Sequence, residues 1–97
     1  MKFMVQWSID QDKWLPILKM WGDMTPEQRL DAGPGVTIIG RWHDFGGRTG
    51  VAIVEADDAS ALSGYLLQWN PHMELDVTPV LDDDESGAVA QAMTAEE

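Results

Sequence analysis

The sequence contains no cysteine, which excludes a disulfide framework, thiolate chemistry and any cysteine-based metal site. This fits a reducing compartment, and we expect a cytoplasmic protein. Basic residues are also few, because six Lys and Arg stand against 17 Asp and Glu and give a formal net charge of −11. No basic patch is visible, so we expect no nucleic-acid partner, since a phosphate backbone would be repelled.

Long apolar runs are missing as well. No run reaches the roughly 18 residues that a membrane span needs, and the N-terminus enters a strand pattern without the charged-then-apolar region of a secretion signal. We therefore expect no membrane partner. A chain of 97 residues with 44% hydrophobic residues is typical of one domain with a single core.

Hydrophobic periodicity predicts the order of the elements. Residues 2–9 and 72–80 alternate with a period of two, as strands with one buried face do. Residues 10–24 carry a helical stripe and are capped by Asp10 or Asp12, with Pro16 expected in the first turn. The residues of that stripe are Trp14, Ile17, Leu18 and Trp21. Thr25-Pro26 predicts a short extra helical turn, and Asp57-Asp58 begins a helix that ends at Asn70-Pro71.

Two further strands, residues 36–43 and 50–56, flank a turn centred on Gly46-Gly47. The resulting β-α-β-β-α-β order predicts an α+β, ferredoxin-like domain over residues 1–81. Its antiparallel sheet would place the fourth strand beside the first, then the third, then the second, with both helices on one face. Residues 82–97 form an acidic tail, either a loosely docked helix or an unstructured end.

The two faces of this hairpin are both largely apolar, which suggests a sheet covered on both sides. Simple alternation divides the residues of the hairpin between two faces. One face holds Val36, Ile38, Trp42, Val51, Ile53 and Glu55, and the other holds Thr37, Ile39, Arg41, His43, Ala52, Val54 and Ala56. If the first set meets the helices, the open face is polar and resembles a site. If the small residues Ala52, Val54 and Ala56 meet them, the open face is apolar and suits a dimer interface. We favour the second arrangement, because small residues allow close helix packing.

Four segments together resemble an uncharacterised family of small bacterial domains of unknown function: M-K-F-M-V-x-W, G-R-W-H, V-E-A-D-D and V-T-P-V-L-D-D. The resemblance covers residue 1 to about residue 85. It implies a ferredoxin-like domain of the dimeric α/β-barrel kind, in which the open sheet faces of two chains pack together. It brings no established catalytic residues. The wider barrel group includes haem-handling enzymes, cofactor-free monooxygenases and polyketide cyclases, so the fold alone does not select a chemistry.

Arg41 and His43 are the candidate catalytic residues. They lie two residues apart on one strand face. If that face is the open one, they could lie in a cavity beside the dimer interface, where the arginine holds a carboxylate or enolate oxygen and the histidine moves a proton. The competing interpretation is that both side chains lie near a strand end and reach solvent.

Trp42, Glu55 and Asp76 are the candidate ligand-binding residues. Trp42 could stack on a flat ligand or fill a dimer interface. Glu55 could be a base with a raised pKa, or it could pair with Arg41 or Lys2 of another chain. Asp76 shares a strand face with His72 and Glu74, but such a row spans about 13 Å, too far for one ion. We therefore expect no metal site and no cofactor.

The sequence as a whole predicts a homodimer that binds a small apolar or aromatic molecule in a barrel cavity, or a purely structural dimer. The alternative is a cofactor-independent monooxygenase, cyclase or isomerase that uses His43 as base and Arg41 as oxyanion partner.

Overall fold

The computed structural model describes residues 1–95. It contains four strands and four helices, which lie where the sequence has alternating and helical patterns. In chain order the elements are β1 (Lys2–Ser8), α1 (Gln11–Asp23), α2 (Pro26–Leu30), β2 (Val36–Asp44), β3 (Thr49–Ala56), α3 (Ala59–Trp69), β4 (Glu74–Val80) and α4 (Asp83–Thr94). The strands form one antiparallel sheet in the order β2-β3-β1-β4. The predicted α+β class, strand order and ferredoxin-like connectivity are confirmed.

The helices cover the face of β3 that carries the small residues. Ala52, Val54 and Ala56 are fully buried there and pack with Val5 and Leu62. The arrangement that we favoured from the sequence is therefore confirmed, and the apolar residues Trp42, Val51 and Ile53 lie on the open face.

A β-bulge in β2 changes which side chains share these faces. Ile38 pairs with Val54 and Gly40 pairs with Ile53, so Ile39 is an extra residue between them. Simple alternation had put Val36 and Ile38 on the same face as Trp42. That prediction was wrong, because the extra residue shifts the alternation by one. It leaves Val36 and Ile38 on the helix side and puts Thr37, opposite Glu55, on the open side.

Local capping signals place the helices accurately, with one exception at α1. The side chain of Thr25 forms a capping box with Gln28 at α2, and Asp58 Oδ1 accepts the Ala61 amide at 2.8 Å to cap α3. Asp10 holds the N-cap position of α1, but its side chain makes no capping hydrogen bond. Because the helix begins directly after Asp10, Pro16 lies in its interior rather than in its first turn.

The hairpin turn between β2 and β3 is held by side chains around its glycines. Asp44 Oδ1 accepts the Gly47 amide at 3.1 Å, and Asp44 Oδ2 accepts the Thr49 hydroxyl at 3.3 Å. The left-handed residue of the turn is Arg48, with φ of 55°. Its Nε donates to the Ile9 carbonyl at 3.2 Å, while the Ile9 amide donates to the Arg48 carbonyl at 3.0 Å. The turn is thereby fixed to the end of β1.

The acidic tail is a helix that makes little contact with the domain. All of α4 is exposed except Glu85, which is half-buried, and Met93 keeps 77% of its surface exposed. Its first turn is held by Lys2, whose Nζ lies 3.1 Å from Glu85 Oε1 and 3.4 Å from Asp82 Oδ2. Residues 96 and 97, the end of the predicted tail, lie outside the described residues. Of the helices within residues 1–95, none has the length and hydrophobicity to cross a bilayer.

Gly50 is the glycine on which the packing of β1 against β3 depends. A Cβ at this position would overlap the Trp7 indole and lie 2.8 Å from the Trp42 carbonyl oxygen. The flat ring of Trp7 therefore rests directly on the backbone of β3.

We expect Gly50→Ala to lower the free energy of unfolding by about 1–3 kcal/mol, because the Trp7 ring must move out of its position. Urea denaturation followed by circular dichroism measures this change. Gly64→Ala is the matched control, since Gly64 lies in α3 with nothing within 4 Å of an added Cβ. That variant should gain up to about 1 kcal/mol from helix propensity. Equal stability of the two variants would contradict the proposed role of Gly50.

Candidate functional site

Four of the five tryptophans surround a cavity between the helices and the sheet. Trp7 comes from β1, Trp14 and Trp21 from α1, and Trp69 from α3, and the volume is about 60 Å³. Trp14 and Trp21 lie seven residues apart and so face the sheet from one side of α1. The cavity is partly open to solvent, where the exposed His43 and Phe45 line it.

Arg41 reaches this cavity from β2, opposite Ala52. Its Nη2 donates to the Arg29 carbonyl at 2.8 Å, and its guanidinium carbon lies 4.5 Å from the centre of the Trp21 ring. Burial lowers the pKa of this guanidinium, and the nearby Tyr65 partly opposes that shift. The side chain remains a cation, since an arginine pKa starts above 12, and its flat group lies against an aromatic face.

His43 lies two residues further along the same face, among aromatic rings. Its ring centre is 5.0 Å from that of Trp21, 5.6 Å from Trp7 and 6.2 Å from Phe45. Partial burial lowers the pKa of His43, and the positive charges of Arg41 and Arg29 lower it further. The imidazole is therefore mostly neutral near pH 7 and can accept a proton there.

Tyr65 completes the polar part of the cavity from α3. The residue is buried, and burial raises the pKa of its hydroxyl while the charge of Arg41 opposes that shift. At neutral pH the hydroxyl is protonated, because the ordinary tyrosine pKa is already about 10. The cavity thus combines a cation, a neutral imidazole and a hydroxyl with indole walls.

A second recess lies on the open face, at the same end of the sheet. Its volume is about 710 Å³, and it is lined by Trp42 and by three carboxylates, Asp44, Glu74 and Asp76. Trp42 keeps 62% of its surface exposed, and its indole lies over Gly40. His43 lines both recesses because it stands near the end of β2.

Glu55 lies away from both recesses. Its carboxylate accepts from the N-terminal ammonium at 2.9 Å and lies 3.5 Å from Lys2 Nζ. The N-terminal ammonium lowers the pKa of Glu55, and the charge of Lys2 lowers it further. The expectation of a base with a raised pKa was therefore wrong. The alternative had named Arg41 or Lys2 of another chain, whereas the structure pairs Glu55 with Lys2 of its own chain.

The five predicted site residues thus fall into three places. Arg41 and His43 share the helix-side cavity, Trp42 and Asp76 share the open recess, and Glu55 belongs to the cluster around Lys2. The sequence analysis placed Trp14 and Trp21 on the apolar stripe of the first helix and did not identify a cavity. It therefore missed the place of these two residues, and of Tyr65 and Trp69, around it. The available signal was the concentration of tryptophan on both helices that face one sheet. Within residues 1–95, no three His, Asp or Glu side chains are grouped closely enough to hold a metal ion.

The fold and this cavity define a class: a small α+β domain with a ferredoxin-like sheet and an aromatic cavity that carries Arg41 and His43. The chain belongs to the DUF3303 family, a domain of unknown function, whose family model matches residues 1–94. No curated protein matches the sequence. No solved structure matches it either.

The lowered pKa of His43 makes stability depend on pH. Between the ordinary histidine pKa of 6.5 and the lower folded-state pKa, the unfolded chain binds a proton that the folded chain does not. Stability should therefore fall as the pH drops below about 6.5. Urea denaturation between about pH 5 and pH 8 measures the slope.

His43→Gln should remove this part of the slope, whereas His72→Gln should keep it, because His72 makes no aromatic contact among the described residues and does not line the cavity. Carboxylates such as Glu55 add their own loss of stability at still lower pH, which both variants retain. The same slope above pH 5 in both variants would show that His43 is not the responsible group.

Proposed function

We propose that this chain binds a small apolar or aromatic molecule in the cavity between its helices and its sheet, and that it does so as a cytoplasmic homodimer. The observation that carries the proposal is the convergence of Arg41, His43 and Tyr65 on a cavity walled by four tryptophans. A core with no binding role would be expected to fill such a space with apolar side chains. Pockets with apolar walls and a few placed polar groups are the usual form of small-molecule sites.

The size of the cavity limits the ligand and requires one wall to move. A volume of about 60 Å³ holds a few water-sized groups, whereas a dry cavity that binds benzene measures about 150 Å³. The wall that can yield is α1, because Ile17 is its one buried residue among those described. A one-ring ligand would therefore displace α1 outward. The contacts that α1 makes with the sheet would be replaced by contacts between α1 and the ring of the ligand.

The open sheet face supports a second copy of the chain as partner. It exposes Trp42 and Ile39 and leaves Met4, Val51 and Ile53 half-buried, so a continuous apolar strip crosses three strands. Face-to-face packing of two such sheets is the α/β barrel that the sequence resemblance implies. A surface of this kind is more apolar than solvent-facing sheets usually are.

The fourth helix, α4, could extend such a dimer interface. Its residues Val89 and Met93 are exposed apolar side chains one helical turn apart, and Lys2 holds the start of the helix next to Glu55 of β3. An arm from each copy laid on the other would add apolar area toward the roughly 800 Å² that a stable interface buries on each partner.

A one-ring neutral probe tests the cavity. Benzyl alcohol at millimolar concentration should shift the indole N–H resonances of Trp7, Trp14, Trp21 and Trp69 in a two-dimensional NMR spectrum. Trp42 is the internal control, because it lines the open recess and not the cavity. Single Trp→Phe variants assign the five signals. Trp7 lines both recesses, so a shift of Trp42 with or without Trp7, and none of Trp14, Trp21 and Trp69, would move the site to the open recess. No shift at all would refute binding of this class of ligand.

A charge placed in the open face tests the dimer. Sedimentation equilibrium at tens of micromolar should show a dimer for the unmodified chain and a monomer for Ile53→Asp, because two buried carboxylates would face each other across the interface. Leu67→Asp is the matched control, since Leu67 is 65% exposed on α3, away from the sheet face. A monomeric unmodified chain would refute the proposal.

A second candidate function is catalysis by a cofactor-independent monooxygenase, cyclase or isomerase. The observation that favours it is the neutral His43 beside the Arg41 cation in one cavity, a suitable base and oxyanion partner. Turnover that His43→Ala abolishes in an intact dimer would identify an enzyme. Recovery of an unchanged ligand from the unmodified protein would favour a binding domain.

A further inference from the structure

Charge is distributed unevenly between the two recesses. Arg41 is the one formally charged side chain of the helix-side cavity among residues 1–95, and no carboxylate lines it. The open recess has the opposite character, with Asp44, Glu74 and Asp76 and no Lys or Arg. A positive cavity is therefore built into a chain whose net charge is −11.

Arg41 has no carboxylate partner within residues 1–95, although acids outnumber bases 17 to 6 in the sequence. Its hydrogen bond at 2.8 Å goes to a neutral main-chain oxygen. A guanidinium offers five N–H donors in a planar fork that matches a carboxylate. An arginine that is half-buried without an acidic partner retains much of its capacity to bind an anion.

Two neighbours strengthen the positive character of this position. The guanidinium of Arg29 lies 5.2 Å from the centre of the Trp21 ring, which Arg41 also contacts, and donates to the Trp21 and Gly22 carbonyls. Tyr65 lies beside Arg41 with a protonated hydroxyl, a second donor from the α3 side of the cavity. Both groups would add to the attraction of an anionic oxygen at Arg41.

We propose that the ligand of this cavity is a one-ring aromatic carboxylate, with its carboxylate on Arg41 and Tyr65 and its ring among the tryptophans. This inference rests on the proposed small-molecule function and specifies its ligand class. The indole walls accept the ring, and the arginine fork accepts both carboxylate oxygens. His43 lines the same cavity and would contact the ligand from the β2 side.

Three probes of one shape test this inference on the unmodified protein: benzoate, benzyl alcohol and benzylammonium. Dissociation constants come from NMR titration of the Trp21 indole signal near pH 7. Benzoate should bind about tenfold or more tightly than benzyl alcohol, as a charge-assisted hydrogen bond predicts. Benzylammonium should bind most weakly, although the net charge of the chain attracts it. Equal affinities for benzoate and benzyl alcohol, or a preference for the cation, would overturn the inference.

Arg41→Met tests the assigned residue. It should reduce the affinity for benzoate to that for benzyl alcohol and change the affinity for benzyl alcohol by less than about threefold, because the apolar stem keeps its packing. Lys19→Met is the matched control for net charge, since Lys19 is an exposed base on α1 paired with Asp23. It should leave the benzoate preference intact. Persistence of that preference in Arg41→Met would overturn the assignment.

Arg41→Lys covers the case in which the methionine variant fails to fold. Lysine keeps the charge but loses the fork, so the preference for benzoate should fall several-fold without disappearing. If benzyl alcohol binds and benzoate binds no more tightly than it does, the carboxylate inference fails and the proposed function stands. If no probe binds, the proposed function fails and the inference fails with it.

Discussion

The extra residue in β2 determines what each face of the sheet carries. Before Ile39, even-numbered residues point toward the helices, and after it the odd-numbered residues do so. Arg41 lies opposite Ala52 and Ile38 lies opposite Val54, so residues on both sides of the bulge face the helices. Without the extra residue, Val36 and Ile38 would share the open face with Trp42. One unpaired residue in an edge strand therefore lets β2 contribute apolar residues to the core and Arg41 and His43 to the cavity on the same side.

Most of the architecture could be predicted from the sequence because each element carries its own local signal. The alternation in β1 and β4, the Thr25 capping box and the Asp58 cap give element type and order without any tertiary information. The small residues of β3 correctly indicated the helix side. The bulge could not be derived with equal certainty, because Ile38, Ile39 and Gly40 fit an unbroken strand as well as a bulged one. Gly40 was the one local hint, since glycine inside a strand often accompanies a bulge.

The candidate site was only partly predictable, for a different physical reason. Arg41 and His43 stand out because polar side chains are rare on an otherwise apolar hairpin. The cavity around them gives no such signal in the sequence, since Trp14, Trp21 and Trp69 have the spacing of ordinary core residues. Whether side chains with this spacing fill the space between α1 and the sheet depends on the distance between the two. That distance is set by the combined size of side chains from three elements. Glu55 shows the same limit, since its partner Lys2 is adjacent only through the pairing of β1 with β3.

The contrast between the acidic surface and the lone cation inside has a kinetic consequence. An anion that approaches the domain meets the field of the whole chain, which is repulsive over about one Debye length, some 8 Å at physiological ionic strength. Added salt screens this field and would raise the association rate constant. Departure from the cavity is governed by short contacts with Arg41, which lie inside the protein and are screened far less. The association rate constant of such a ligand would therefore depend on ionic strength through the acidic surface. Its dissociation rate constant would depend on the contacts with Arg41 and would change much less.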